Sequence, residues 1–171
     1  EDKDFAGSAA TFETAIFLST LQSMVDVMLG NTDEMVIDKE IIYYAALAND
    51  AAENFKKSEA LYKQLIGLKY GKTDTDKARI YVLQAHAEKS MNDTIAYVET
   101  LKKGMDAYPN ESLILVELIN YHIERKEPGK AKEIILKAIE TDPENKLLHF
   151  NLGTIYDNEG NLEEEEKCYK K

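Results

Sequence analysis

The sequence is poor in residues that break, staple or anchor a chain. One cysteine, Cys168, stands among 171 residues, so no disulfide can close within the chain, and it says nothing of the redox compartment. Three prolines and eight glycines leave long stretches free of helix breakers, and tryptophan is absent. No apolar run approaches the roughly 20 residues that cross a bilayer as a helix. Cations are scarce too. The 21 Lys and Arg face 32 Asp and Glu, for a net charge of -11, and they cluster no further than pairs such as Lys102–Lys103 and Lys170–Lys171. A surface of that sign repels a phosphate backbone, so nucleic acid is not an expected partner. Neither a glycine-rich phosphate loop nor a GxSxG turn occurs, and nothing points to an enzyme.

What is present favours helix. Hydrophobic residues make up 44% of the chain and charged residues 31%, with Ala, Leu, Ile, Glu and Lys abundant. The apolar spacing predicts helices over about 3–29, 36–52, 55–69, 75–90, 94–107, 112–125, 128–141, 146–158 and 162–171. In the first, Phe5, Ala9, Phe12 and Ile16 keep helical spacing, and Leu21, Val25 and Met28 resume it. That helix is expected to be long, or broken near Ser19–Thr20. Asp93 or Thr94 and Asn110 or Glu111 stand where N-caps are wanted, and Pro128 suits a first turn. Loops are expected at Asn31–Thr32–Asp33 and Gly71–Lys72–Thr73–Asp74.

A period runs through this pattern. Pro109 and Pro143 stand 34 residues apart in similar phrases, AYPNES and TDPENK. Leu118 and Leu152 follow the same step, as do Ile119 with Gly153 and Gly104 with Ala138. Gly153 is the informative member. Glycine costs roughly 1 kcal/mol in a helix interior, so its place in NLGTIYDNEGN implies a close approach by a neighbouring helix of its own unit. Tyr156 then fills the space beyond, and Gly160–Asn161 turns the chain. A helix-pair period of this length is a repeat signature.

These residues resemble tetratricopeptide repeats. Leu152, Gly153, Tyr156, Gly160 and Tyr169 carry the resemblance in the last unit; Leu115, Leu118, Ala131, Ala138 and Pro143 carry it in the one before. Ile119 and His122 depart from it there. The unit at about 39–72 supplies Ala46, Phe55, Ser58, Tyr62 and Leu65, with Tyr70 where proline would close it. The unit at about 78–111 supplies Ala85, Leu101, Gly104 and Pro109, but Gln84 and Glu88 occupy slots that usually hold Leu and Tyr. Residues 3–16 look like a lone second helix, with Phe5, Ser8, Phe12 and Ala15 in place.

The resemblance implies an all-α, right-handed α-solenoid of antiparallel helix pairs, a single domain over 1–171. It divides into a partial repeat over 1–38, repeats over about 39–72, 78–111 and 112–145, and a partial repeat over 146–171. The absence of an initiator Met and an ending in mid-helix suggest a piece of a longer protein. The phrases KKSEALYKQLIGLKYG and NDTIAYVETLKKGMDAYPNE resemble bacterial repeat proteins of the Bacteroidetes kind. That resemblance implies a periplasmic or envelope location, with the cytoplasm as the alternative.

The chemistry-bearing residues read blandly. His86, His122 and His149 lie about a repeat apart rather than a turn apart, which is not metal-ligand spacing. Glu163–Glu166 lacks the loop spacing of a calcium site and sits where acidic groups favour a helix start. Cys168 has no orienting base nearby in the sequence. No metal, cofactor or catalytic residue is expected.

The expected function is recognition. In the family, first helices line a concave groove that holds a peptide or a partner helix. The resemblance places Tyr43, Tyr44, Leu47, Asp50, Val82, Leu83 and His86 there, then Val116, Glu117, Asn120 and Glu124, then Phe150, Asn151, Thr154 and Asp157. Asn120 and Asn151 fall where family members hydrogen-bond a bound backbone. The slots of the family's basic carboxylate clamp hold Val82, Leu113, Val116, Glu117 and Leu147, so an acidic tail finds no cation. The expected ligand is an apolar protein segment with basic flanks. The alternative is a structural or self-association module that forms homo-oligomers through unfinished ends.

Overall fold

The structure, a computed structural model, describes residues 4–32 and 36–170, with the backbone alone at residue 141. Among the described residues there are nine α-helices and no strand: α1 (Phe5–Met28), α2 (Lys39–Ala51), α3 (Phe55–Gly67), α4 (Asp74–Ser90), α5 (Thr94–Ala107), α6 (Ser112–Glu124), α7 (Pro128–Thr141), α8 (Lys146–Asn158) and α9 (Leu162–Tyr169). The helix boundaries follow local chemistry. Asp4 accepts from the Gly7 N–H to open α1, and the helix runs unbroken through Ser19–Thr20. Helix α2 begins at Lys39, later than its apolar spacing suggests, because Asp38 caps it by accepting from the Glu40 and Ile41 N–H groups. A reciprocal capping box joins Thr73 and Asp76 at the start of α4. Asp93 accepts from Ala96 N–H before α5, Pro128 opens α7, and Asn145 caps α8. Asp33 and Lys171 lie outside the described residues.

The chain gathers into two compact units, Glu1–Thr100 and Leu101–Lys171, with the boundary inside α5. In the first, α1 packs on α2, α2 on α3 and α3 on α4. Its core joins Ile42, Ala46, Tyr62, Leu65 and Ile80, flanked by Ile16, Leu47 and Leu83. In the second, α6 packs on α7, α7 on α8 and α8 on α9. Its core joins Leu115, Ile119, Ala131, Ile135, Leu148, Leu152, Ile155 and Cys168. Contact between successive elements is the packing logic of a solenoid.

The repeat is also written in the backbone. Each turn inside a helix pair places one residue in the left-handed region: Glu53 (φ 60°), Asn92 (61°), Lys126 (58°) and Gly160 (72°). The following N–H reaches back five residues in every case. Asn54 N–H donates to Asn49 C=O (2.8 Å), Asp93 to Glu88 (2.9 Å), Glu127 to His122 (2.8 Å) and Asn161 to Tyr156 (2.9 Å). This is the bond pattern of a Schellman closure, which satisfies carbonyls orphaned at a helix end.

Candidate functional site

In the first unit, α2 turns Ile42, Ala45, Ala46 and Asn49 inward and leaves Tyr44 half exposed. Tyr44 stacks on Phe12 of α1 (centroids 6.0 Å) and meets Tyr43 edge-on (5.6 Å); Tyr43 stacks on Tyr70 (5.1 Å). The four rings form one row. Its end is fixed by the Tyr70 hydroxyl, which donates to Glu40 Oε2 at 2.9 Å. Burial and that carboxylate push the Tyr70 hydroxyl pKa well above the ordinary tyrosine range. Leu47 and Leu83 are partly buried against the core. Asp50 accepts from the Ser58 hydroxyl at 3.3 Å, and burial raises its carboxyl pKa against the lowering pull of Ser58 and of the His86 charge. His86 is exposed. Val82, expected among the groove residues, is buried, because α4 turns it inward beside Ala78 and Ala85.

In the second unit, α6 leaves Asn120 and Glu124 exposed and half-buries Val116 and Glu117. On α8, Asn151 is half-buried and Asp157 exposed, while Phe150 is 57% exposed and meets the Tyr169 ring at 6.0 Å. The Thr154 hydroxyl is turned onto its own helix, donating to Phe150 C=O.

Each unit carries one cleft of note. The first unit's cleft, about 400 Å³, brings Lys39, Lys69, Lys72 and Arg79 together beside Tyr43 and Tyr70, with the carboxylates of Glu40 and Asp76 also in its lining. That basic patch is not visible along the sequence, where its members lie up to 40 residues apart. They meet because the start of α2, the end of α3 and the start of α4 share one edge of the antiparallel stack, and helix ends are where a search would find them. The second unit's cleft, about 750 Å³, lies against α7 between Met105, Ile134 and Lys137 and contains none of the expected groove residues.

The histidines have structural partners. His122 Nδ1 donates to Glu127 Oε2 (2.9 Å), and His149 Nε2 donates to Pro143 C=O (2.7 Å). Among the described residues no three His, Cys, Asp or Glu side chains gather as a metal site would require. In the acidic run at 163–166, Glu163 and Glu164 pair with Lys167 of α9, and Glu166 pairs with Lys170 just past its end. No described helix is long and apolar enough to cross a membrane.

Comparison with known proteins agrees with the helix-pair architecture. A sequence profile described as tetratricopeptide repeat matches residues 134–167. The human protein O-mannosyl-transferase TMTC3 is 27% identical over 123 residues, which is 70% of this chain but only 13% of that protein's length. Among solved structures, MamA superposes with a TM-score of 0.59 at 16% identity, over 98% of this chain and 85% of its own. BtubC from P. vanneervenii superposes at 0.58 and 17% identity, over 99% and 72%. YrrB, described as a TPR protein with an unusual peptide-binding site, superposes at 0.51 and 12% identity, over 95% and 76%. These structural likenesses are of fold. With the 34-residue period and the recurring left-handed turn, they show a tetratricopeptide-type helix-pair fold, and the matched profile marks residues 134–167 as a tetratricopeptide repeat.

Proposed function

We propose that the chain is a non-catalytic scaffold that holds a peptide or helix of a partner protein against the outward faces of first helices within one unit, α6 and α8 in the second, with α2 and α4 offering a separate surface of the same kind in the first. A protein-interaction role is what the repeat family supports; the location and the ligand are our reading. The observation that carries it is the exposure of Phe150 on a helix that buries Leu148 and Leu152. A large ring left in water beside Asn151, on a face with no need of it for the core, suits an anchor for an apolar side chain. Tyr44 is its counterpart on α2. Asp50, Glu117, Glu124 and Asp157 on the same helices, in a chain of net charge -11, favour a partner whose apolar segment is flanked by Lys or Arg. The transferase named among the relatives is matched over a small part of its length, so it lends no activity to this reading.

The test is a pull-down from fractionated host lysate at low and moderate salt, with the wild type beside Asn120→Ala/Asn151→Ala and Phe150→Ala, and the captured proteins identified by mass spectrometry. A partner retained by the wild type, lost by the variants and weakened by salt supports the reading. Equal recovery by all three, with helical content unchanged, removes it.

A further inference from the structure

The second half of α1 is built inside out. The helix has 24 residues against 13 in α2, so its first half is covered and its second overhangs. In the covered half, Ala9 is buried, Ile16 joins the core and Glu13 pairs with Lys57 at 2.8 Å. Beyond Ile16 the pattern reverses. The side turned to the chain's own returning segment carries Ser23, 7% exposed, whose hydroxyl accepts from the Val36 N–H at 2.6 Å. The opposite side carries Phe17, Leu21, Met24 and Met28, flanked by Leu18, Val25 and Leu29, and all are exposed, Phe17 to 65% and Met28 to 83%. A helix that served only its own core would place these residues the other way round.

We propose that this stripe is a self-association surface on which two copies of the chain pair antiparallel, independently of the groove reading above. Two observations favour a second copy. The positions 17, 21, 24 and 28 step by 4, 3 and 4, the seam spacing of paired helices. That spacing reads the same in both directions, so a two-fold axis sets Phe17 against Met28 of the second copy and Leu21 against Met24. Area agrees as well: seven large apolar side chains stand exposed here, four of them by more than half, enough for a pair to bury on the order of 1,000 Å², the size a specific interface needs. An anionic lipid surface is the poorer occupant, since α1 contains no Lys or Arg to hold it.

The test is sedimentation velocity on the chain from low to high micromolar concentration, with Leu21→Glu/Met24→Glu and Met28→Glu in parallel and circular dichroism on all three. The expected result is a mass that rises from one chain to two in the wild type. It stays at one chain in the double variant, with at least a tenfold loss in the single variant and helical content intact. Orientation is read by mild oxidation of Leu21→Cys mixed with Met24→Cys, which should cross-link to each other in preference to themselves; Cys168 is buried and stays out of the reaction. A wild type that remains monomeric, a dimer that survives both glutamate variants, or cross-links that favour identical positions would each overturn the proposal.

Discussion

The backbone of Gly153 lies against the ring of Tyr169: a Cβ built on Gly153 would stand 2.6 Å from Cε1 of that ring. Real contacts do not reach that distance, so the glycine holds α8 and α9 together. Two effects oppose each other in Gly153→Ala. Helix propensity favours Ala by roughly 1 kcal/mol, and overpacking costs about 1–3 kcal/mol. The ring is at the far end of a half-exposed side chain and can swing aside, which keeps the cost low in that range but forfeits its contact with Phe150. Gly153→Ala is expected to lose about 1 kcal/mol, and to become neutral or stabilising when Tyr169→Ala is already present. Urea unfolding of the four proteins of that cycle reads the change of sign; a loss unaltered by Tyr169→Ala would disprove the contact's role.

The left-handed turns inside the four helix pairs give a graded prediction. They share φ near 60° or slightly above, yet only the last holds glycine. Strain at such a position costs a side chain on the order of 1 kcal/mol, and asparagine is among the residues that tolerate it best. Glu53→Gly and Lys126→Gly are therefore expected to raise stability by about 0.5–1 kcal/mol each, less the entropy that glycine loses on folding, and Asn92→Gly to change little. Denaturation midpoints rank the three. Equal effects at 53, 92 and 126 would mean that the turns are not limited by backbone strain.

Glu88, Gln84 and Thr100 form a buried polar triad. Gln84 Nε2 donates to Glu88 Oε1 (2.8 Å) and to Thr100 Oγ1 (3.3 Å), and the Thr100 hydroxyl donates to the same carboxylate oxygen (3.0 Å). Glu88 Oε2 is buried with no hydrogen-bond partner among the described residues. A network left incomplete in this way costs more than an apolar core of equal volume. Thr100→Val alone should lose about 1–2 kcal/mol by stranding its partners. Gln84→Leu/Glu88→Tyr/Thr100→Val, which restores the family's usual residues on α4, should instead gain about 1–3 kcal/mol. Thermal unfolding compares them, and a triple variant less stable than Thr100→Val would show that the triad is a net stabiliser.

Much of the fold could be read from local chemistry. The bounds of α5 and α7 follow from Asp93 and Pro128, and the role of Gly153 follows from its cost in a helix. What could not be read needed neighbours distant in sequence. Gln84 and Glu88 look like defects of the repeat until Thr100 is brought beside them. Tyr70 looks like a missing proline until its ring is seen on Tyr43. The basic cleft joins cations from three helix ends. Periodicity marks an apolar stripe on α1 but not which side of the helix the chain covers, so the exposure of Phe17 and Met28 could not be foreseen. For the groove, the helices were legible and the exposure was not: Val82 is turned inward, whereas Tyr44 and Phe150 stand in water.

Asp50 provides the pH dependence. Burial raises its carboxyl pKa above the ordinary aspartate value, with the Ser58 hydroxyl and the His86 charge pulling the other way. The folded state then binds this proton more tightly than the unfolded chain does. Its contribution to stability is complete below the unfolded pKa and is lost as pH rises through the folded pKa, so at neutral pH the ionised Asp50 is a burden on the fold. Asp50→Asn keeps an acceptor for Ser58 and removes the charge. The variant is expected to be more stable than wild type at neutral pH, with the difference shrinking to nothing as the solution is acidified below the ordinary aspartate pKa. His86→Ala removes a favourable charge and should raise the Asp50 pKa further, which a carboxyl-carbon NMR titration reads directly. A gap between wild type and Asp50→Asn that widens toward acid would mean that Asp50 is stabilised by its partners rather than penalised by burial.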